Sequence, residues 1–205
     1  MQRAVAQQVK LPPGYSLSWS GQFEFLERAI AKLKIVVPAT LLIIFVLLYL
    51  TFRRGDDALL IMATLPLAMV GGFWLIYALG YNLSIASAVG FIALGGVATE
   101  IGVVMLVYLN QAVSARAAAQ RLGNETDLKA AIIEGAALRV RPIAMTVAVI
   151  IAGLLPVMWG TGTGSEVMRR IGAPMIGGMV TAPLLSMFVV PVVYLLIRRR
   201  RYKFE

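Results

Sequence analysis

Five apolar runs, each about as long as a bilayer's hydrocarbon core is thick, constrain this chain more than any motif it contains. They cover 35–52, 58–79, 83–109, 143–159 and 171–197, 17 to 27 residues apiece. A helix needs about 20 residues to cross roughly 30 Å of hydrocarbon. With 60% apolar residues and only 14% charged ones concentrated between the runs, the expected fold is an all-α membrane protein with five transmembrane helices.

The connections differ in kind. Arg53 and Arg54 stop the first run, and Gly55, Asp56 and Asp57 follow as turn formers, which predicts a tight hairpin. Gly80, Tyr81 and Asn82 join the second and third runs without any charge. The long polar connection is the loop 110–142, in which 127–138 reads as a surface amphipathic helix. Counted on alternate sides, twelve basic residues (Arg53, Arg54, Arg116, Arg121, Lys129, Arg139, Arg141, Arg198 to Arg201 and Lys203) oppose seven (Arg3, Lys10, Arg28, Lys32, Lys34, Arg169 and Arg170). The positive-inside rule then places the loop 110–142 and the basic tail 198–205 in the cytoplasm, and the N-terminal segment and the 160–170 loop outside it.

Several function classes drop out. The chain has no cysteine and no histidine, so disulfides, the usual zinc sites, thiol nucleophiles and imidazole bases are excluded. Its net charge of +9 sits at the ends of apolar runs, not interleaved with aromatics on one face. Membrane topology accounts for it, and nucleic acid is not an expected partner. The glycine-rich stretch Gly160 to Glu166 lacks the Gly-Lys-Ser/Thr ending of a phosphate-binding loop and reads as a turn between spans. The first 34 residues carry charges throughout and do not read as a secretory leader.

That first segment, 1–34, does not read as a complete domain. Tyr15, Leu17 and Trp19 alternate with serines as one short strand would, and Phe23 to Lys34 continues as an amphipathic helix into the first span. A single strand leaves its backbone groups unpaired, which predicts partners outside these residues.

Within the spans, Glu100 stands out because it lies in the middle of the otherwise uncharged run 83–109. A carboxylate at that depth is costly, so the expectation is a functional group facing other helices or a water path, against the plainer reading of a side chain bonded to Thr99 or a neighbouring helix. Gly96, Gly95 and Gly90 precede it and favour close approach of another helix. Met168, Met175 and Met179 fall on one face at i, i+7 and i+11 if one helix spans them, and thioether sulfur suits Cu(I) and Ag(I). Met62, Met69, Met105, Met145, Met158 and Met187 read as packing. Prolines at 38, 66, 156, 174, 183 and 191 read as kinks in packed helices.

Four ordered blocks carry a resemblance over nearly the whole chain: LPPGYSLSWSGQFEFLERA, GFIALGGVATEIGVVMLVYL, RVRPIAMTVAVIIAGLLPVMWGTGTGSEVMRRI and APMIGGMVTAPLLSMFVVPVVYLL. Together they resemble the C-terminal part of heavy-metal efflux pumps of the resistance-nodulation-division superfamily, nearest the Cus and Sil copper/silver branch. The resemblance implies the last five helices of a twelve-helix inner-membrane transporter, with the end of its periplasmic porter region at the N-terminus. It implies a homotrimer working with a periplasmic adaptor and an outer-membrane channel. It also implies proton antiport rather than enzymatic turnover, with Cu(I) or Ag(I) as cargo and no resident cofactor. Glu100 then corresponds to a proton-path carboxylate and Met168 to a methionine of the metal path. The relatives carry a lysine directly after the RVRP block where this chain has Ile143. Either a relay here turns to hydroxyls and water, with Thr146 and Thr181 as candidates, or it is impaired, while Arg139 and Arg141 reach to the headgroups. Such pumps also use acids and methionines that lie outside the stretch resembled, so a full cycle requires more than these residues. Two other readings stay open: a non-transporting membrane interaction protein, and a pump of the same family for divalent ions such as zinc, cobalt or cadmium.

Overall fold

The computed structural model describes Pro12 and residues 22–201. Five helices make it up: α1 Gln22–Phe52, α2 Gly55–Ala78, α3 Ile85–Ala118, α4 Glu125–Trp159 and α5 Ser165–Arg201. All five are long and apolar enough to cross a membrane. No strand occurs among the described residues, and the strand expected around Tyr15, Leu17 and Trp19 lies outside them.

Residues 1–40 and 41–205 form two compact units. In the first, the described part is the N-terminal portion of α1, where Arg28 pairs with Glu24 one turn earlier. Its apolar surface at Ile35 and Val36 is exposed, and the Thr40 hydroxyl donates to the Val36 carbonyl at 2.8 Å. The second unit is the bundle. There the connection expected at 53–57 takes only two non-helical residues, Arg53 and Arg54, the first of them in the left-handed region at φ 52°. Ser84 caps α3 by accepting from the Ser87 N–H at 3.3 Å. At the start of α4 the N-cap is Asn124, and Asp127 in the first turn reaches back to it, its Oδ2 accepting from the Gly123 and Asn124 N–H groups at 3.2 Å.

The stretch read as a polar loop with a separate surface helix is different in the structure. Helix α4 runs unbroken from Glu125 through Pro142 to Trp159. Its first four turns bury Leu128, Ala131, Ile132 and Gly135, and a Cβ on Gly135 would lie 3.0 Å from the Tyr108 carbonyl oxygen of α3. The apolar face of the amphipathic segment thus packs on the end of α3, which also extends well past Leu109, to Ala118. Hydrophobic periodicity located the segment; the partner helix decided that it continues the span. Ile143 is 2% exposed and belongs to the core cluster that contains Ile101 and Met105.

Helix α5 is central: α2, α3 and α4 all pack against it. Its crossing with α2 is set by glycines. A Cβ on Gly71 would sit 2.3 Å from the Gly177 carbonyl oxygen, and one on Gly177 would sit 2.3 Å from the Gly71 carbonyl oxygen. Because both obstacles are backbone, no side chain can move aside to make room. Van der Waals contact over such small residues is what drives helix association when lipid removes the hydrophobic incentive. Gly177→Ala is therefore expected to destabilise the bundle by about 1–3 kcal/mol or more, read as a lowered thermal midpoint in detergent. Gly153→Ala, at a position with open space around its Cβ, should leave the midpoint unchanged; equal midpoints for both variants would refute the close crossing.

Candidate functional site: an uncovered carboxylate and a buried polar cluster

Glu100 lies on an exposed face of α3 that also presents Val89, Ile92 and Gly96. The spacing of these four, three or four residues apart, makes one stripe along the helix. A Cβ on Gly96 would meet nothing within 4 Å, whereas Gly90 faces Ile171 and Pro174 of α5, and Gly95 faces Met69 of α2. The three glycines expected to share the carboxylate's face therefore divide: Gly96 alone lies on it, and the other two seat α3 in the bundle. The 100° turn per residue separates them. The helices described here leave the carboxylate side of α3 open.

The hydroxyl partners are already committed. Thr146 is exposed and donates to the Pro142 carbonyl of its own helix at 3.0 Å. Thr181 donates across the α2–α5 crossing to the Ala68 carbonyl at 3.0 Å, and to Gly178 at 3.2 Å. Thr99 donates to the Gly95 carbonyl at 2.8 Å. Of the basic residues near the RVRP block, Arg139 lies with its guanidinium 4.8 Å from the centre of the Tyr108 ring, and Arg141 is exposed.

Met168, Met175 and Met179 do share one helix, but their surroundings differ. Met168 is 57% exposed beside the 160–165 turn, Met175 is half-buried, and Met179 is fully buried against the cluster of Phe91 and Leu94. Helix rise separates the first from the last by about 16 Å. Three sulfurs so spaced make successive positions along a helix and not one coordination sphere.

A second constellation was not visible as such in the sequence. Asp57 of α2, Asn110 of α3, and Tyr194 and Arg198 of α5 meet at the end of the bundle where the basic residues collect. Arg198 Nη2 donates to Asp57 Oδ2 at 3.1 Å and to Asn110 Oδ1 at 2.6 Å. The Tyr194 hydroxyl donates to the same Asn110 oxygen at 2.7 Å, and Asn110 Nδ2 donates to Asp57 Oδ2 at 3.3 Å. The Arg198 guanidinium carbon also lies 4.7 Å from the Tyr194 ring centre. Asp57 and Tyr194 are 0% exposed and Arg198 is 2% exposed. Arg198 read as the start of a solvated tail and Asp57 as a turn residue. The signal that links them is positional: Asp57 immediately precedes the run 58–79, Asn110 follows 83–109, and Arg198 follows 171–197. Three polar residues at equivalent ends of three spans arrive at one depth.

The AcrB/AcrD/AcrF family matches residues 1–198. The chain is 58% identical to the cation efflux system protein CusA of Escherichia coli O157:H7 across 99% of its own length and 20% of that protein's. It is 60% identical to the putative cation efflux system protein SilA of Salmonella typhimurium, covering 98% of this chain and 19% of that one. Against the cobalt-zinc-cadmium resistance protein CzcA of Cupriavidus metallidurans the identity is 40%, over 96% of this chain and 18% of that one. The crystal structure of a heavy metal efflux pump superposes with a TM-score of 0.79 at 32% identity, covering 96% of this chain and 18% of that one. The chain thus spans about a fifth of the length of these relatives. On a match of this extent the chain belongs to the AcrB/AcrD/AcrF family.

Proposed function

We propose that this chain forms the C-terminal membrane part of a proton-driven Cu(I)/Ag(I) efflux pump of the inner membrane. The observation that carries the reading is Glu100 on a face its own helices leave open. A carboxylate in mid-span, turned toward lipid, costs at least about 2.5 kcal/mol. A face of this kind, with Gly96 open beside it, is best accounted for by further helices of the same pump packing there. Glu100 then takes up and releases protons between the two sets of helices, with a water path or those helices as its partners, since Thr146 and Thr181 are bonded to backbone. The higher identity to CusA and SilA than to CzcA favours monovalent copper or silver over divalent cargo. Met168, Met175 and Met179 serve, in this reading, as thioether positions along the metal's route. The working assembly is a homotrimer with a periplasmic adaptor and an outer-membrane channel, its N-terminal segment periplasmic and its basic tail cytoplasmic.

Exchange of the corresponding segment in SilA of Salmonella typhimurium for these 205 residues tests the reading. The chimaera is expected to confer silver tolerance on a pump-deleted host, and a cytoplasm-active reporter fused after Glu205 should be active. Normal protein levels with no silver tolerance would sink the transport reading, and an inactive reporter would sink the orientation.

A further inference from the structure

We propose that the cleft beside the Asp57–Arg198 cluster is a binding site for the phosphate-bearing headgroup of an anionic phospholipid. The cleft has a volume of about 450 Å³. Its polar lining includes Thr51, Arg54, Asn110, Gln111, Ser114 and Arg198, and its apolar lining includes Phe52 and Val107. Two guanidinium groups therefore face it against one carboxylate, Asp57, which is itself held by Arg198 and Asn110. Arg54 makes no ion pair among the described residues, and as the N-cap of α2 it offers no side-chain bond to that helix's first turn. Its charge is available to a ligand.

Depth selects the class of ligand. Thr51 and Phe52 end the first apolar run, Arg54 follows it, and Asn110, Gln111 and Ser114 come just after the third. The cleft thus opens where hydrocarbon gives way to headgroups, and Leu47 and Leu50 on the adjoining turns of α1 are 57% and 63% exposed. Acyl chains can lie along that apolar surface while the phosphate meets Arg54, Gln111 and Ser114. A phosphate free in solution gains only the polar half of this environment. Guanidinium is the side chain best suited to phosphate, through its planar fork of donors. On the topology proposed above, the basic side meets the cytoplasmic leaflet, whose surface potential is negative. The inference does not depend on which ion is exported.

The test is native mass spectrometry of the full 205-residue chain released from nanodiscs, with phosphatidylglycerol, phosphatidylcholine or inorganic phosphate as probe. Retention of phosphatidylglycerol is expected to exceed that of phosphatidylcholine, and Arg54→Gln should weaken it about fivefold, the scale of one basic residue near an anionic surface. Arg54→Lys should restore part of the loss. Because Arg54 is exposed, the variant should keep its helical circular dichroism and melting midpoint. Equal retention of the two lipids would overturn the proposal, as would an Arg54→Gln variant that holds phosphatidylglycerol undiminished. Binding of inorganic phosphate without phosphatidylglycerol would assign the cleft to a soluble anion and also overturn it.

Discussion

Glu100→Gln, made in a complete pump carrying this segment, is expected to abolish metal export while leaving insertion and assembly intact. Glutamine keeps the size of the side chain and most of its hydrogen-bonding capacity but cannot titrate, so only a role in proton transfer is removed. No packing within the bundle depends on the side chain, because Glu100 lies on the open face of α3 and makes no ion pair among the described residues. The readout is silver export from everted vesicles driven by an imposed proton gradient, with trimer content followed on a native gel. Export should fall to the level of a pump-free control. Wild-type export in the variant, at normal trimer content, would leave the carboxylate with a merely structural part. Glu100→Asp, which retains titration on a shorter side chain, should keep a measurable fraction of the activity and so separates proton transfer from packing.

Asp57→Ala is expected to lower the stability of the bundle by about 3–5 kcal/mol, the usual result of leaving one member of a buried ion pair uncompensated. Both charges qualify, since Asp57 is 0% and Arg198 2% exposed. One guanidinium nitrogen, Arg198 Nη1, is already buried without a hydrogen-bond partner, so removal of the carboxylate leaves that side chain poorly satisfied. The paired replacement Asp57→Leu with Arg198→Met removes both charges and should recover most of the loss. Equilibrium unfolding of the chain in mixed micelles measures both. If Asp57→Ala melts with wild type, or if the double variant is no better than the single one, the pair does not clasp α2 to α5. The contrast with the surface pairs is instructive. Arg116 with Glu134, where the glutamate side chain is 59% exposed, should contribute under about 1 kcal/mol.

Much of the fold could be read from hydropathy because lipid imposes a simple demand: each run of about 20 apolar residues satisfies its backbone internally as a helix. The five runs became five helices, and turns formed at 53–54 and 160–164. Helix ends were less legible. The run 143–159 is the second half of a 35-residue helix, because the charged half before Pro142 still has an apolar face to bury and α3 extends far enough to receive it. Proline did not end the helix there, although a proline inside a helix removes a hydrogen bond.

Candidate residues divided along the same line. An acidic residue alone in a long apolar run is conspicuous in any sequence, and Glu100 was found that way. The grouping of Asp57, Asn110, Tyr194 and Arg198 joins residues up to 141 positions apart; each alone looks like ordinary polar punctuation at a membrane boundary. Likewise, nearness in sequence suggested one approach surface for Gly90, Gly95 and Gly96, while the turn of the helix and the positions of α2 and α5 place them in three different neighbourhoods.

The sequence by itself determined the number of spans, their membrane setting and the presence of an isolated mid-span carboxylate, since each follows from local composition measured against a fixed hydrocarbon thickness. Only the tertiary structure decided which faces of those helices are covered. The close backbone approach of Gly71 and Gly177 sets how α5 meets α2, and the way α2 and α5 pack against α3 leaves Glu100 on an open side while bringing Asp57 and Arg198 together in the interior. The physical reason is that hydropathy fixes a helix's depth in the membrane, whereas its rotation and its neighbours are fixed by shape and hydrogen bonding between segments distant in sequence.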